Sequence, residues 1–245
     1  MTINETSVLV IDDDPVSRQL LLLLLCRQGY PVKTADSGAQ ALEYLRAQVP
    51  LDTKVILADL QMPGITGSAL AGALREICKA DTTLIAMSGS SPDEAVAADY
   101  DSFLLKPFTM EDLASAIAGH RKAHPASPVV QQELPALNQT VYQRISATMD
   151  AKQMDQLYRF CLDDAKRRVA NMRQSAVNGD DTSYRREAHA IKGGCGMVGA
   201  SELQRLAASM EDSGIAANHV ATLDEFVLAC ERLERMLNAR KAATG

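Results

Sequence analysis

Val8-Leu9-Val10-Ile11-Asp12-Asp13-Asp14 sets four apolar residues, three of them β-branched, directly against three carboxylates. A short, continuous apolar run suits a strand buried on both faces, and the abrupt change to acidic residues marks its end. The same shape recurs downstream. Val32–Thr34, Val55–Ala58, Leu84–Met87 and Phe103–Leu105 are equally short and aliphatic. Amphipathic stretches follow them near Val16–Gln28, Ala39–Gln48, Ser68–Lys79, Pro92–Asp99 and Met110–Lys122. Five strand–helix units in series predict an α/β, doubly wound, five-stranded parallel sheet, with ligands at the carboxyl ends of the strands.

The pattern stops near residue 122. Beyond it lies KAHPASPVVQQELPAL, Lys122 to Leu137, with prolines at 125, 128 and 135. Proline at that density disfavours helix and gives an extended connector. The expected organisation is one domain over 1–122, a linker over 123–137 and a second domain over 138–245. Net charge divides the same way, −6 through His124 and 0 thereafter. The second part has no strand pattern. Helix-period stretches run near Gln139–Met149, Lys152–Val177, Thr182–Met197, Ser201–Ser213 and Thr222–Ala243, with Asn178-Gly179 and Ser213-Gly214 as stops. They predict an all-α helical bundle.

Composition excludes several classes of function. The 245 residues are 47% hydrophobic and 23% charged, which supports a packed core throughout. A net charge of −6 with 4% aromatics and no Trp argues against nucleic acid as a direct partner. The longest apolar run, Leu20–Cys26, is far shorter than the roughly 20 residues of a membrane span. No basic flank or small-residue cleavage site marks a leader, and five dispersed cysteines without a CxxC pair fit a reducing compartment. A cytoplasmic location is expected.

The chemistry-bearing residues of the first part fall at strand ends. Asp12-Asp13-Asp14 follows the first strand, Asp59 the third, Ser88 the fourth and Lys106-Pro107 the fifth. Carboxylates gathered on one rim repel each other, and a hard divalent cation with oxygen ligands, Mg²⁺ above all, resolves the conflict. A carboxylate there can act as a nucleophile toward phosphorus, giving an acyl phosphate. Ser88 and Lys106 could each meet a phosphoryl oxygen.

Asp12-Asp13, Asp59 followed by Met62-Pro63-Gly64, Ser88 and Lys106-Pro107 together resemble a response-regulator receiver domain. The resemblance implies Asp59 as phosphoacceptor and Mg²⁺ held by Asp13 and Asp59. Asp12 would help through water, and Gln61 through its backbone carbonyl. It also implies Ser88 as the switch hydroxyl, Phe103 as the rotating aromatic and a cis peptide before Pro107. The 18 positions from Ser88 to Lys106 are about four fewer than the family has, so the fourth helix should be short by about one turn. Asp12-Asp13-Asp14-Pro15-Val16 also fits the DxDx[TV] pattern of haloacid dehalogenase-type phosphohydrolases, with Asp12 as nucleophile and Asp14 as acid/base. That family needs a further acidic cluster after a later strand. Only Glu111-Asp112 follows Lys106.

In the second part AHAIKGGCGMVGA, Ala188 to Ala200, puts three glycines into a helix at about 1 kcal/mol each relative to alanine. Glycine there permits close approach of another group. His189, Lys192, Gly193 and Gly196 share a face by spacing, and Arg185 and Arg186 extend it backward. A neutral imidazole is a competent nucleophile toward phosphorus, and cations around it would neutralise phosphoryl oxygens. Ala188-His189, Lys192-Gly193 and Gly199-Ala200 resemble the histidine-containing phosphotransfer (HPt) domain, a four-helix bundle. The resemblance implies a phosphohistidine at His189, with Lys192 and Gly193 shaping its surroundings. His120 and His124, four apart, read as a solvated tail, and His219 as part of an interhelical loop.

The two resemblances imply a phosphorelay protein of the two-component type, with Asp59 and His189 as its phosphoryl carriers. It would be a phosphotransfer intermediate, with a sensor histidine kinase and a separate response regulator as partners. A phosphate sink or scaffold for a kinase would use the same residues. Met1 suits an independent start, and the C-terminal part of a larger hybrid kinase would read alike. On the first helix, Leu20–Leu25 cover every side, so at least two leucines should stay exposed for docking.

Overall fold

The computed structural model describes residues 6–47, 53–89, 94–106, 108–117, 136–216 and 218–244. The chain divides into two compact units, residues 1–128 and 129–245. The expected linker lies almost wholly, at 118–135, outside the described residues, as do His120, His124 and Pro107.

In the first unit β1 (Ser7–Ile11), β2 (Val32–Ala35), β3 (Thr53–Asp59), β4 (Thr83–Ser88) and β5 (Ser102–Leu105) form one parallel sheet in the order β2-β1-β3-β4-β5. The helices α1 (Pro15–Arg27), α2 (Gly38–Ala47), α3 (Gly67–Ile77), α4 (Glu94–Ala98) and α5 (Met110–Ile117) follow the strands in turn. The central strands β1, β3 and β4 are buried almost throughout. The edge strand β2 is exposed at Lys33 and Thr34, so the both-faces reading holds for the centre of the sheet only. Strand order reverses at β1, between β2 and β3. The crevice at that reversal is where doubly wound sheets bind ligands.

Local chemistry starts α1. Asp14 caps it, accepting from the amides of Val16 at 3.4 Å and Ser17 at 2.9 Å, with Pro15 in the first turn. Of the six leucines, Leu20, Leu21 and Leu25 are buried and Leu22, Leu23 and Leu24 half-buried. None reaches full exposure, which corrects the expectation of at least two exposed leucines. Short α4 has five residues, in line with the missing turn. Tyr100, buried just after it, donates to the Gly67 carbonyl at 3.0 Å and ties this corner to the start of α3.

In the second unit α6 (Gln139–Thr148) leads into the four longer helices α7 (Ala151–Val177), α8 (Asp181–Met197), α9 (Ser201–Ser213) and α10 (His219–Thr244). Helix α8 packs on α7 and α9, and α10 packs on the same two, which makes a four-helix bundle with α6 added against α7. Leu157, Cys161, Leu206, Met210, Phe226 and Leu233 fill its core. Asp150 and Gln153 close a capping box at α7, and Asp180 caps α8 through the Ser183 amide. Gly179 and Gly214 take φ of +68° and +62° at the two helix ends where the sequence placed stops. His219 opens α10 and is not in a loop.

Candidate functional site

Strand register assembles the first site. Ile11 pairs with Ala58, so Asp12 and Asp59 emerge side by side from β1 and β3. Asp59 pairs with Met87, and Ser88 with Leu105, which brings Ser88 and Lys106 to the same rim. Asp12 is fully buried and Asp59 nearly so. The Lys106 ammonium bridges them, donating to Asp12 Oδ2 at 2.6 Å and to Asp59 Oδ2 at 2.7 Å. Burial disfavours the charge on Lys106, yet the two carboxylates outweigh it and hold the ammonium firmly protonated.

The two carboxylates differ in what remains open on them. Asp12 accepts from the Asp14 amide at 2.8 Å on one oxygen, and from Ser17 Oγ at 2.8 Å and Lys106 on the other. Among the described residues, Asp59 accepts only the Gln61 amide, at 2.9 Å, on the oxygen away from Lys106. Thr66 Oγ donates to the backbone carbonyls of Asp59 at 3.2 Å and Leu60 at 2.9 Å and fixes the turn after β3. Phe103, half-buried on β5, packs against the apolar cluster of Leu70, Leu84 and Tyr100.

Asp12, Asp13 and Asp59 each offer an oxygen, all within 4.8 Å of one another. Three carboxylates facing one ammonium leave an excess of negative charge, and an all-oxygen donor set suits a hard divalent cation. The residues present therefore fit Mg²⁺. Asp14 does not join them, because both its oxygens cap α1. That leaves no free carboxylate two residues after Asp12 for the dehalogenase arrangement.

The second site lies on α8. His189 Nδ1 stands 2.7 Å from Glu211 Oε1, and Lys192 Nζ 2.5 Å from Glu211 Oε2, so one carboxylate from α9 spans both. Partial burial alone would raise the pKa of Glu211, but hydrogen bonds from Lys192 and His189 prevail and lower it. An ionised carboxylate only accepts, so in the neutral imidazole the ring proton sits on Nδ1 and the lone pair on Nε2. The imidazole is 29% exposed, enough for an incoming phosphorus to reach it.

The glycines separate into two kinds. A side chain at Gly193 would enter open space, whereas one at Gly196 would fall 2.6 Å from Gln204 on α9. Gly193 thus flanks His189 on a free face, and Gly196 serves helix packing. Arg185 also leaves the expected set, since its guanidinium is taken up by Asp181 and the end of α9. Glu211 carries no sequence signal; it lies 22 residues from His189 and meets it only through packing of α8 on α9. Cys195 is buried, with its sulfur 3.9 Å from that of buried Cys161. A cavity of about 380 Å³ between α6, α7 and α10 includes none of these residues.

Comparison with known proteins agrees with both halves. The family model for the response regulator receiver domain matches residues 8–118, and that for the Hpt domain matches residues 156–243. The transcriptional regulatory protein KdpE of Mycobacterium tuberculosis is 32% identical over 129 residues, 52% of this chain and 56% of KdpE. The sensory/regulatory protein RpfC of Xanthomonas campestris is 26% identical over 213 residues, 80% of this chain and 29% of RpfC. Among solved structures, the response regulator TrrA of Thermotoga maritima, in complex with Mg²⁺ and BeF, shares 29% identity. The match covers 46% of this chain and 96% of TrrA, with a TM-score of 0.42. The chain belongs to the two-component phosphorelay proteins, as a receiver domain followed by an HPt domain. It spans about half of KdpE and less than a third of RpfC. Among the described residues no helix is long and apolar enough to cross a membrane.

Proposed function

We propose that this protein accepts a phosphoryl group on Asp59 and carries one on His189. A sensor histidine kinase would be the source of phosphate and a separate response regulator the other partner. The receiver unit would span 1–122 and the HPt unit 138–245, joined by 123–137. The observation that carries the reading is the Lys106 bridge between Asp12 and Asp59, at 2.6 and 2.7 Å. It holds a buried carboxylate at the rim, whose Oδ1 accepts, among the described residues, one amide.

In the transfer from a phosphohistidine, an Asp59 oxygen forms the P–O bond as the P–N bond breaks. The electron pair returns to the imidazole nitrogen. In the reverse sense His189 Nε2 attacks phosphorus, and the carboxylate leaves with the pair of the P–O bond. Glu211, on Nδ1, counterbalances the charge that the ring gains. Lys106 and Ser88 receive phosphoryl oxygens at the Asp59 site, and Lys192 does so at His189, with Gly193 keeping the approach open. Phe103 would follow Ser88 in the response to phosphorylation. Asp13 and Asp59, with Asp12 through water and the Gln61 carbonyl, would hold Mg²⁺, which when bound neutralises carboxylate and phosphoryl charge.

The test follows labelled phosphate from candidate kinases into wild type, Asp59→Asn and His189→Gln. Wild type should forward label to a third protein, Asp59→Asn should lose labelling of the receiver unit, and His189→Gln should forward none. Acetyl phosphate should label Asp59 only when Mg²⁺ is present. Equal labelling of Asp59→Asn, or label that never leaves His189, would overturn the relay.

A further inference from the structure

We propose that Arg185, braced by Asp181, is a positioning residue for phosphoryl transfer at His189: it grips the end of α9 so that Glu211 stays on the imidazole. The inference rests on His189 as the phosphoryl carrier. Arg185 lies one turn before His189 on α8, where spacing alone would make it a second cation for the phosphoryl group. The geometry gives it a different task. Its Nη1 donates to the backbone carbonyl of Glu211 and, at 2.8 Å, to that of Asp212. Its Nε donates to Asp181 Oδ2 at 2.6 Å, while Asp181 Oδ1 accepts from the Ile215 amide at 2.7 Å.

The last four carbonyls of a helix lack partners within it, and final turns fray unless something holds them. Glu211 sits in that final turn, two residues before the last residue of α9. The residue whose carbonyl Arg185 grips is therefore the one whose carboxylate meets His189 Nδ1 and Lys192. Gly214 completes the clamp. At φ +62° it lets the chain pass so close that a side chain there would fall 2.2 Å from Asp181 Oδ1 and 2.4 Å from Arg185 Nη2. Fraying of this turn would free the carboxylate, release the ring proton to either nitrogen and leave Nε2 without a defined direction. Transfer needs that direction. The Nε2 lone pair must form the P–N bond while the bond from phosphorus to the leaving group breaks and that group departs with its electrons.

The experiment uses the full chain carrying Asp59→Asn, so that stable label rests on histidine, with potassium phosphoramidate as phosphodonor and ammonia as leaving group. Two quantities are read: the rate of phosphohistidine formation, and the ring-proton position of His189 by ¹⁵N–¹H correlation. In the parent, the proton should be on Nδ1. Arg185→Ala should slow labelling about tenfold and mix the two tautomers, and Arg185→Lys, whose single ammonium cannot hold Asp181 and both carbonyls together, should recover only part of each. Unchanged rate and tautomer in a folded Arg185→Ala protein would overturn the inference. So would a slower rate with the ring proton still fixed on Nδ1, which would place Arg185 on the phosphoryl group instead. Should Arg185→Ala fail to fold, Asp181→Asn tests the brace by the same two readouts, and no change in either overturns it. His189→Gln labelled like the parent would fail the carrier assignment itself, a result distinct from every outcome at Arg185.

Discussion

Two carboxylates with opposite surroundings set the chemistry at the residue scale. Asp12 has three donors and no exposure, so it anchors Lys106 and the start of α1. Among the described residues Asp59 accepts one amide on Oδ1 and the Lys106 ammonium on Oδ2, which suits it better to the proposed reaction. Glu211 behaves differently again. Its pKa is lowered in the folded chain, with burial opposing and the bonds from Lys192 and His189 prevailing. A depressed folded value means that its contribution to stability is present above the ordinary carboxyl value of 4.5 and is lost as pH falls through the lower, folded value. The expected outcome is that Glu211→Gln loses less thermal stability than wild type between about pH 5 and pH 3, as measured by calorimetry. Parallel losses in both proteins would mean that the carboxylate is not held as described.

Helices decide what each site can meet at the element scale. Helix α4 between β4 and β5 has only five residues, and the corner after it is held by Tyr100 on the Gly67 carbonyl and by Asp101. Asp101 takes the Arg75 guanidinium and the Leu84 amide, both at 2.7 Å. On α1, Leu22, Leu23 and Leu24 are half-buried, so less leucine surface is open than a run of six suggested. On α8, open space at Gly193 yields a sharp contrast between two substitutions. Gly193→Ala should raise stability by up to about 1 kcal/mol, since only helix propensity changes, and should leave transfer within about threefold of wild type. Gly193→Glu should keep the bundle folded yet slow transfer to and from His189 at least about tenfold, because a longer, charged side chain fills the approach. Thermal melts and phosphotransfer rates on the same samples separate the two effects. A folded Gly193→Glu protein that transfers normally would show that partners approach from another face.

The whole molecule comprises two units that each close a core of their own, at ordinary domain size. One is a parallel sheet with helices around it, and the other a helical bundle. Each proposed phosphoryl carrier has its supporting cast inside its own unit: Lys106 and Asp12 for Asp59, Glu211 and Lys192 for His189. Residues 1–128 and 129–245 produced separately should therefore both fold. The first should take label from acetyl phosphate at a rate within about twofold of the full chain, and the second should keep the His189 ring proton on Nδ1. Loss of labelling in a folded 1–128 fragment would show that the site depends on the second unit.

Fold class was legible along the chain because its signals are local. Short aliphatic runs ending in carboxylates, and helix-period stretches ending in Asn178-Gly179 and Ser213-Gly214, need only neighbours in sequence to be read. Asp59, Lys106 and His189 stood out for the same reason, each inside a short motif. Tertiary contact decided which of their neighbours share the site. Asp14 could serve the dehalogenase pattern as acid/base until the turn into α1 made it a cap, and Arg185 looked like a phosphoryl partner until α9 ended against it. Glu211 was silent, because a carboxylate on an amphipathic helix reads as solvated surface unless the helix it packs on is known. Spacing along one helix tells which side chains share its face. Which of them meets the histidine depends on the helix that covers that face, and that pairing arises from packing between segments far apart in the chain.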